Sequence, residues 1–141
     1  MKILNEMKLE FISKSSNEGF ARIAVASFIA QLDPTVTEVM EVKTAVSEAV
    51  TNSIVHGYRD TAGKIYITAR IIKDGRIIIT IRDRGDGIDD ISKARTPLYT
   101  SLPDEERSGM GFTIMESFMD RVHVWSKKGM GTRVTLEKKL G

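Results

Sequence analysis

Glu48 and Asn52 stand four residues apart in Ser47-Glu48-Ala49-Val50-Thr51-Asn52. A helix advances about 1.5 Å and 100° per residue, so the two side chains stack on one face, roughly 6 Å from each other. That face presents a carboxylate beside an amide oxygen, a candidate general base next to a ligand for a hard cation. Two glycine-bearing stretches follow, Asp83-Arg84-Gly85-Asp86-Gly87 and Ser108-Gly109-Met110-Gly111, and glycine lets backbone pass close to a bound group. Base, cation ligand and phosphate-approaching backbone are the parts of a Mg-nucleotide site. The chemistry they point to is ATP-dependent.

The elements that must position these residues can be read from hydrophobic period. Met7, Leu9 and Phe11 alternate with Lys8 and Glu10, the pattern of a strand covered on one face. Ser15 and Glu18 have the spacing of a capping box, and Phe20, Ile23, Ala24, Phe28 and Leu32 recur at helical intervals up to Pro34, which predicts a helix over about Asn17 to Leu32. Thr35 and Glu38 repeat the capping spacing and open a longer helix. Its apolar side carries Val39, Val42, Val46, Ala49, Val50 and Ser53, and a left-handed glycine cap is expected near His56-Gly57. Glu48 and Asn52 lie roughly 130° from the middle of that stripe, away from the main core.

Ile65, Ile67, Ala69 and Ile71 alternate with polar residues, Asp74-Gly75 supplies a reversal, and Ile77, Ile79 and Ile81 alternate again, a β-hairpin running into Asp83. From Ser92 to Arg107 no period persists, and a connection of that length in a compact domain reads as a lid or binding loop. Phe112, Met115, Phe118 and Met119 predict a short amphipathic helix whose start abuts Gly109 and Gly111, a natural anion site. Val122 and Val124, a Gly129-Met130-Gly131 turn, then Val134 and Leu136 predict a closing hairpin. The order strand, two helices, hairpin, lid, helix, hairpin implies one domain over residues 1–141. Its fold class is an α/β sandwich, a mixed, mostly antiparallel sheet of about five strands with helices on one face.

Composition narrows the function classes. The 141 residues carry 21 basic and 19 acidic side chains, a net charge of +2 without a run of like charges, which gives no support to direct nucleic-acid or membrane binding. The absence of cysteine excludes disulfides, thiolate metal sites and cysteine nucleophiles. The start lacks the apolar core of a signal peptide, and no stretch approaches the ~18 apolar residues of a membrane span. A cytoplasmic protein is expected.

Taken singly, each motif has an ordinary alternative. Glu48 and Asn52 also suit a solvated helix face, Asp83, Gly85 and Gly87 an ordinary turn, and Gly109 and Gly111 simple punctuation before a helix. Three such features in fixed order, two of them separated by a long loop, distinguish the site from these alternatives.

Together they resemble the GHKL-type ATPases, the superfamily of gyrase, a heat-shock chaperone group, sensor histidine kinases and mismatch-repair ATPases. Glu48 and Asn52 match its N box, Asp83, Gly85 and Gly87 its first glycine box, and Gly109 and Gly111 the second. Phe20-Ala21-Arg22, Val25-Ala26-Ser27-Phe28, His56-Gly57-Tyr58 and the run from Arg107 to Glu116 further resemble the kinase-type anti-sigma factors of spore-forming bacteria, over about Met7 to Leu140.

This resemblance implies roles. Asn52 would bind Mg²⁺, Glu48 would orient or deprotonate an attacking serine, and Asp83 would accept from the adenine amino group. Gly85, Gly87, Gly109 and Gly111 would cradle the nucleotide, and Arg107 would reach the terminal phosphate. Thr132 would lie near the base, though it equally reads as a strand-surface threonine. Arg22 would touch a partner, though a solvated helix arginine is an equal reading. His56, at a helix end inside the ATPase unit, is not read as a phospho-acceptor, nor is His123, on a strand. The implied function uses ATP and Mg²⁺ to phosphorylate a serine on an anti-anti-sigma protein while sequestering a sporulation sigma factor, in a homodimer. The alternative is a nucleotide-switched binding module without significant kinase activity, which would need Asn52 and the glycines but no base.

Overall fold

A computed structural model of the chain describes residues 1–58, 61–88 and 111–141. The elements are β1 (Ile3–Ile12), α1 (Ser16–Ile29) with a 3-10 turn (Ala30–Leu32), and α2 (Val36–Asn52) with a π-helical turn (Ser53–Gly57). They are followed by β2 (Lys64–Ile72), β3 (Arg76–Asp83), α3 (Gly111–Phe118), β4 (Arg121–Lys127) and β5 (Gly131–Lys139). The five strands form one sheet in the order β1-β2-β3-β5-β4. Every pairing is antiparallel, so the expected mixed sheet contains no parallel pair among the described strands.

The period of two decides which sheet face the helices cover. Ile65, Ile67, Ala69 and Ile71 of β2 lie opposite Asp83, Ile81, Ile79 and Ile77 of β3, and all of these are buried. Leu136 and Val134 of β5 continue the same rows. Val25 and Ile29 of α1, Val42, Val46 and Val50 of α2 and Met115 of α3 close over them. Each large aliphatic side chain taken out of water in this way contributes about 1.5–3 kcal/mol. Among the described residues no helix covers the opposite face of the sheet, which carries most of the polar partners of the alternation.

Helix α2 starts as its sequence dictates. The Glu38 amide donates to Thr35 Oγ1 at 3.0 Å, and the Thr35 amide donates to Glu38 Oε1 at 2.9 Å, a complete capping box. The Ser15 box does not form. Ser15 is already in helical conformation with no side-chain cap, and the Glu18 carboxylate instead accepts a hydrogen bond from the Ser47 hydroxyl of α2.

The buried stripe of α1 also differs from expectation, since Ala21, Val25 and Ile29 face the core while Phe20 and Ile23 are 54% and 60% exposed. This helix is apolar nearly all round, so its period does not choose a face. The small Ala21 lets α1 lie close against α2, and packing makes the choice.

The expected left-handed glycine cap after α2 is absent as well. The helix runs through a π turn to Gly57, whose φ is not positive, and Tyr58 forms the C-cap.

Among the described residues no helix is long and apolar enough to cross a membrane.

Candidate functional site

The far side of α2 from its apolar stripe carries Glu48 and Asn52, both half-buried. They meet the first residue of α3. A Cβ on Gly111 would lie 3.1 Å from Glu48 Oε2, 3.3 Å from Asn52 Nδ2 and 3.4 Å from Asn52 Oδ1. A side chain at this position would crowd both groups, and glycine leaves the α3 backbone room to come this close. Carboxylate, amide and the positive end of a helix dipole therefore share one small volume.

One residue beyond Asn52, the helix turns inward. Ser53, a polar residue on the buried stripe, donates from Oγ to Asp83 Oδ2 at 2.7 Å. Asp83 ends β3 on the helix-covered face and is only 2% exposed. Its other oxygen accepts from the Gly85 amide at 3.0 Å, and the backbone of Thr132, its cross-strand partner, also donates to it. Burial raises the carboxyl above its usual range, opposed by the hydrogen bonds from Ser53, Gly85 and Thr132.

The loop after Asp83 is tied on several sides. Gly85 packs on the backbone of Gly57, where an added Cβ would sit 2.0 Å from the Gly57 carbonyl oxygen. The Asp86 amide donates to that same oxygen at 2.8 Å. The Arg84 amide donates to Tyr58 Oη, whose hydroxyl donates to the Lys64 carbonyl, each at 2.7 Å. Gly87 has φ 79° and lies against the Lys127 carbonyl. Ile88 donates to Ser126 Oγ at 2.7 Å, and Ser126 Oγ is 2.8 Å from Thr132 Oγ1. Thr132 thus joins the loop to β5.

The fold therefore brings together Glu48, Asn52 and Gly111 at one end, and Asp83, Gly85 and Thr132 at the other, with the consecutive residues Asn52 and Ser53 linking the two groups. Gly87 closes the far side of the loop. Arg107, Gly109 and the lid from Ser92 to Arg107 lie outside the described residues.

Arg22 belongs to a different place, a groove of about 430 Å³ lined also by Pro34, Val36, Met40 and Lys43 between α1 and α2. Its Nε is buried without a hydrogen-bond partner among the described residues. His56 lies in the π turn and His123 is exposed on the open sheet face.

Sequence reasoning gave no place in the site to Ser53, read as part of the apolar stripe, to Gly57, read as a helix cap, or to Tyr58. The signal for Ser53 was its position, since a serine on an apolar stripe must find a buried partner.

Residues 15–138 match the family described as the histidine kinase-like ATPase domain. An anti-sigma F factor of Clostridium botulinum (strain Alaska E43 / Type E3) is 62% identical over 136 residues, covering 96% of this chain and 95% of that one. Another, of Clostridium perfringens (strain SM101 / Type A), is 55% identical over 136 residues, covering 96% and 97%. Among solved structures, the RsbU and RsbW domains of a Mycobacterium tuberculosis protein align with a TM-score of 0.69 at 20% identity, covering 96% of this chain and 32% of that one. At that identity the likeness speaks for the fold. By sequence, the chain belongs to the anti-sigma F factor family, built on the histidine kinase-like ATPase domain.

Proposed function

We propose that the chain is an ATP-dependent protein serine kinase that also acts as an anti-sigma factor, sequestering a sporulation sigma factor and phosphorylating a serine on an anti-anti-sigma protein. The observation that carries the kinase reading is the approach of Glu48 and Asn52 to the glycine opening α3, on the helix that also supplies the turn holding Asp83. A nucleotide switch needs no base at Glu48, and its placement beside the phosphate-facing backbone favours transfer.

The residues fit a Mg-nucleotide. Among the described residues no three His, Cys, Asp or Glu side chains cluster into a metal cage. Mg²⁺ retains waters and leans on substrate phosphates with one or two protein oxygens. Asn52 Oδ1 would be such an oxygen, and the ion would neutralise charge on the phosphates.

Asp83 would accept from the adenine amino group, which guanine replaces with a carbonyl. Gly85, Gly87 and Thr132 would border the base. Gly109 and Gly111 would hold phosphate oxygens on backbone amides, with Arg107 offsetting charge at the terminal phosphate. Glu48 would take the proton from the serine hydroxyl as its oxygen bonds to the γ-phosphorus and the bridging bond to ADP breaks. General-base help of this kind contributes about 10²–10⁴-fold.

The family name of the relatives supports a sigma factor as partner. The outer face of α1, where Phe20 and Ile23 are exposed, and the Arg22 groove beside it are the surfaces proposed to meet partner proteins. A homodimer completes the reading, with no direct part for nucleic acid or membrane.

The test is incubation with radiolabelled ATP, Mg²⁺ and a candidate anti-anti-sigma protein. Label is expected on a serine of that protein with the wild type, and Glu48→Ala is expected to retain ATP binding while losing transfer. Unlabelled substrate with the wild type would leave only the switch reading, and undiminished transfer by Glu48→Ala would remove the base from the mechanism.

A further inference from the structure

Strand alternation places Asp83 on the helix-covered face of the sheet and its neighbours Arg82 and Arg84 on the open face. Across that open face runs a row of residues paired strand to strand. Tyr66 of β2 lies opposite Arg82 of β3, Arg82 opposite Arg133 of β5, and Arg133 opposite Trp125 of β4. Adjacent strands are about 4.8 Å apart, so the row spans roughly 14 Å.

Two features set this row apart from the rest of the face. Arg82 and Arg133 are like charges placed directly across a strand pair, an arrangement that opposes folding. Elsewhere on the face Arg70 and Arg76 are neutralised. Arg70 pairs with Glu6 at 2.5 Å, and Arg76 pairs with both Asp74 and Glu137. Among the described residues Arg82, Arg84 and Arg133 have no carboxylate partner, and all three are exposed.

Tyr66 and Trp125 hold two of these guanidinium groups, those of Arg84 and Arg133. Arg84 Cζ lies 5.3 Å from the centroid of Tyr66, and Arg133 Cζ lies 5.7 Å from that of Trp125. A guanidinium held over a ring retains N–H donors for a planar anion, and less side-chain entropy remains to be lost on binding. The same stacking covers a face of each ring, where a nucleic-acid base would otherwise lie.

We infer that this row of the open sheet face, Arg82 and Arg133 with Arg84 beside them, is a docking surface for an acidic segment of a partner protein, whose carboxylates would supply the missing counter-charges. The surface lies on the opposite sheet face from Asp83 and away from the Arg22 groove, and the inference stands whether or not the kinase reading holds.

Trp125 is the single tryptophan of the chain, so its fluorescence reports on the row directly. The probe is a short synthetic peptide with glutamates at alternate positions, compared with its glutamine counterpart and with a single-stranded oligonucleotide. The glutamate peptide is expected to give a saturable change in Trp125 emission that weakens as salt is added. Arg82→Glu leaves the Arg133–Trp125 contact in place and sets opposite charges across the strands, so it should fold, weaken the peptide about tenfold or more, and leave ATP affinity unchanged. The neutral Arg82→Gln is expected to weaken the peptide to a lesser degree. Equal response to the glutamine peptide, tighter binding of the oligonucleotide, or wild-type affinity in both variants would overturn the inference.

Discussion

Ser53 Oγ donates a 2.7 Å hydrogen bond to Asp83 Oδ2, fastening the turn beyond α2 to the end of β3 beneath the surface. Both residues are buried, so water does not replace either partner freely. Ser53→Ala should cost about 1–3 kcal/mol of stability, because a buried carboxylate oxygen loses its donor. Adenine-nucleotide affinity should fall with it, since the Asp83 side chain loses one of the contacts that aim it. Denaturant unfolding and a direct nucleotide titration check the two effects separately.

The Asp83 carboxyl, raised by burial above its ordinary value of 3.8, gives a pH dependence with a definite sign. A carboxyl raised in the folded state contributes stability that is fully present below its unfolded value and is lost as pH rises through its folded value. For nucleotide binding the sign reverses, because an ionised Asp83 is the better acceptor. ATP affinity of the wild type should therefore weaken on acidification, starting above the ordinary carboxylate range. Asp83→Asn should bind adenine nucleotides weakly at every pH and show a flatter profile, as measured by calorimetric titration between neutral pH and the onset of acid unfolding.

Asn52 and Glu48 touch the same glycine but are expected to fail differently. Asn52→Ala should lower ATP affinity by about tenfold, the equivalent of ~1.4 kcal/mol, in the presence of Mg²⁺. The affinity for adenosine, which has no phosphates to bridge, should stay unchanged. An equal loss for both ligands would place Asn52 at the base rather than at the metal.

Thr35 and Glu38 provide a test confined to folding. Their reciprocal bonds close the start of α2, and the backbone hydrogen bond from Thr35 holds the Glu38 carboxyl below its usual range. Thr35→Ala should cost about 1 kcal/mol. A depressed carboxyl contributes stability above its unfolded value, lost as pH falls through the folded one. The difference between wild type and variant should therefore shrink in acid, a trend readable from unfolding midpoints.

How much of this was legible beforehand depended on whether the deciding partner was local. The Thr35 box is settled within four residues, and the β2–β3 reversal by Asp74-Gly75, where Gly75 takes a φ of 92°. Both were readable. The Ser15 box was not, because Glu18 is claimed by Ser47 from the next helix. Nor was the buried face of α1, where Phe20 and Ile23 compete with Ala21, Val25 and Ile29 and only packing against α2 decides.

In the site, helical spacing foretold that Glu48 and Asn52 share a face. It did not foretell what they would face, since Gly111 arrives from a distant stretch of chain. Gly57 was read as a helix terminator and proves to be a surface on which Gly85 rests. Such a requirement of proximity carries no period for a sequence to display.

The strand order leaves one consequence. The strand beside Asp83 is β5, which places Thr132 next to it, is inserted between β3 and β4 and is remote from Asp83 along the chain. A site assembled from such separated segments exists only after the long-range pairings have closed. A ligand gripping it would scarcely hasten folding; it would act as a latch, slowing escape from the native state and lengthening the lifetime of the loaded molecule.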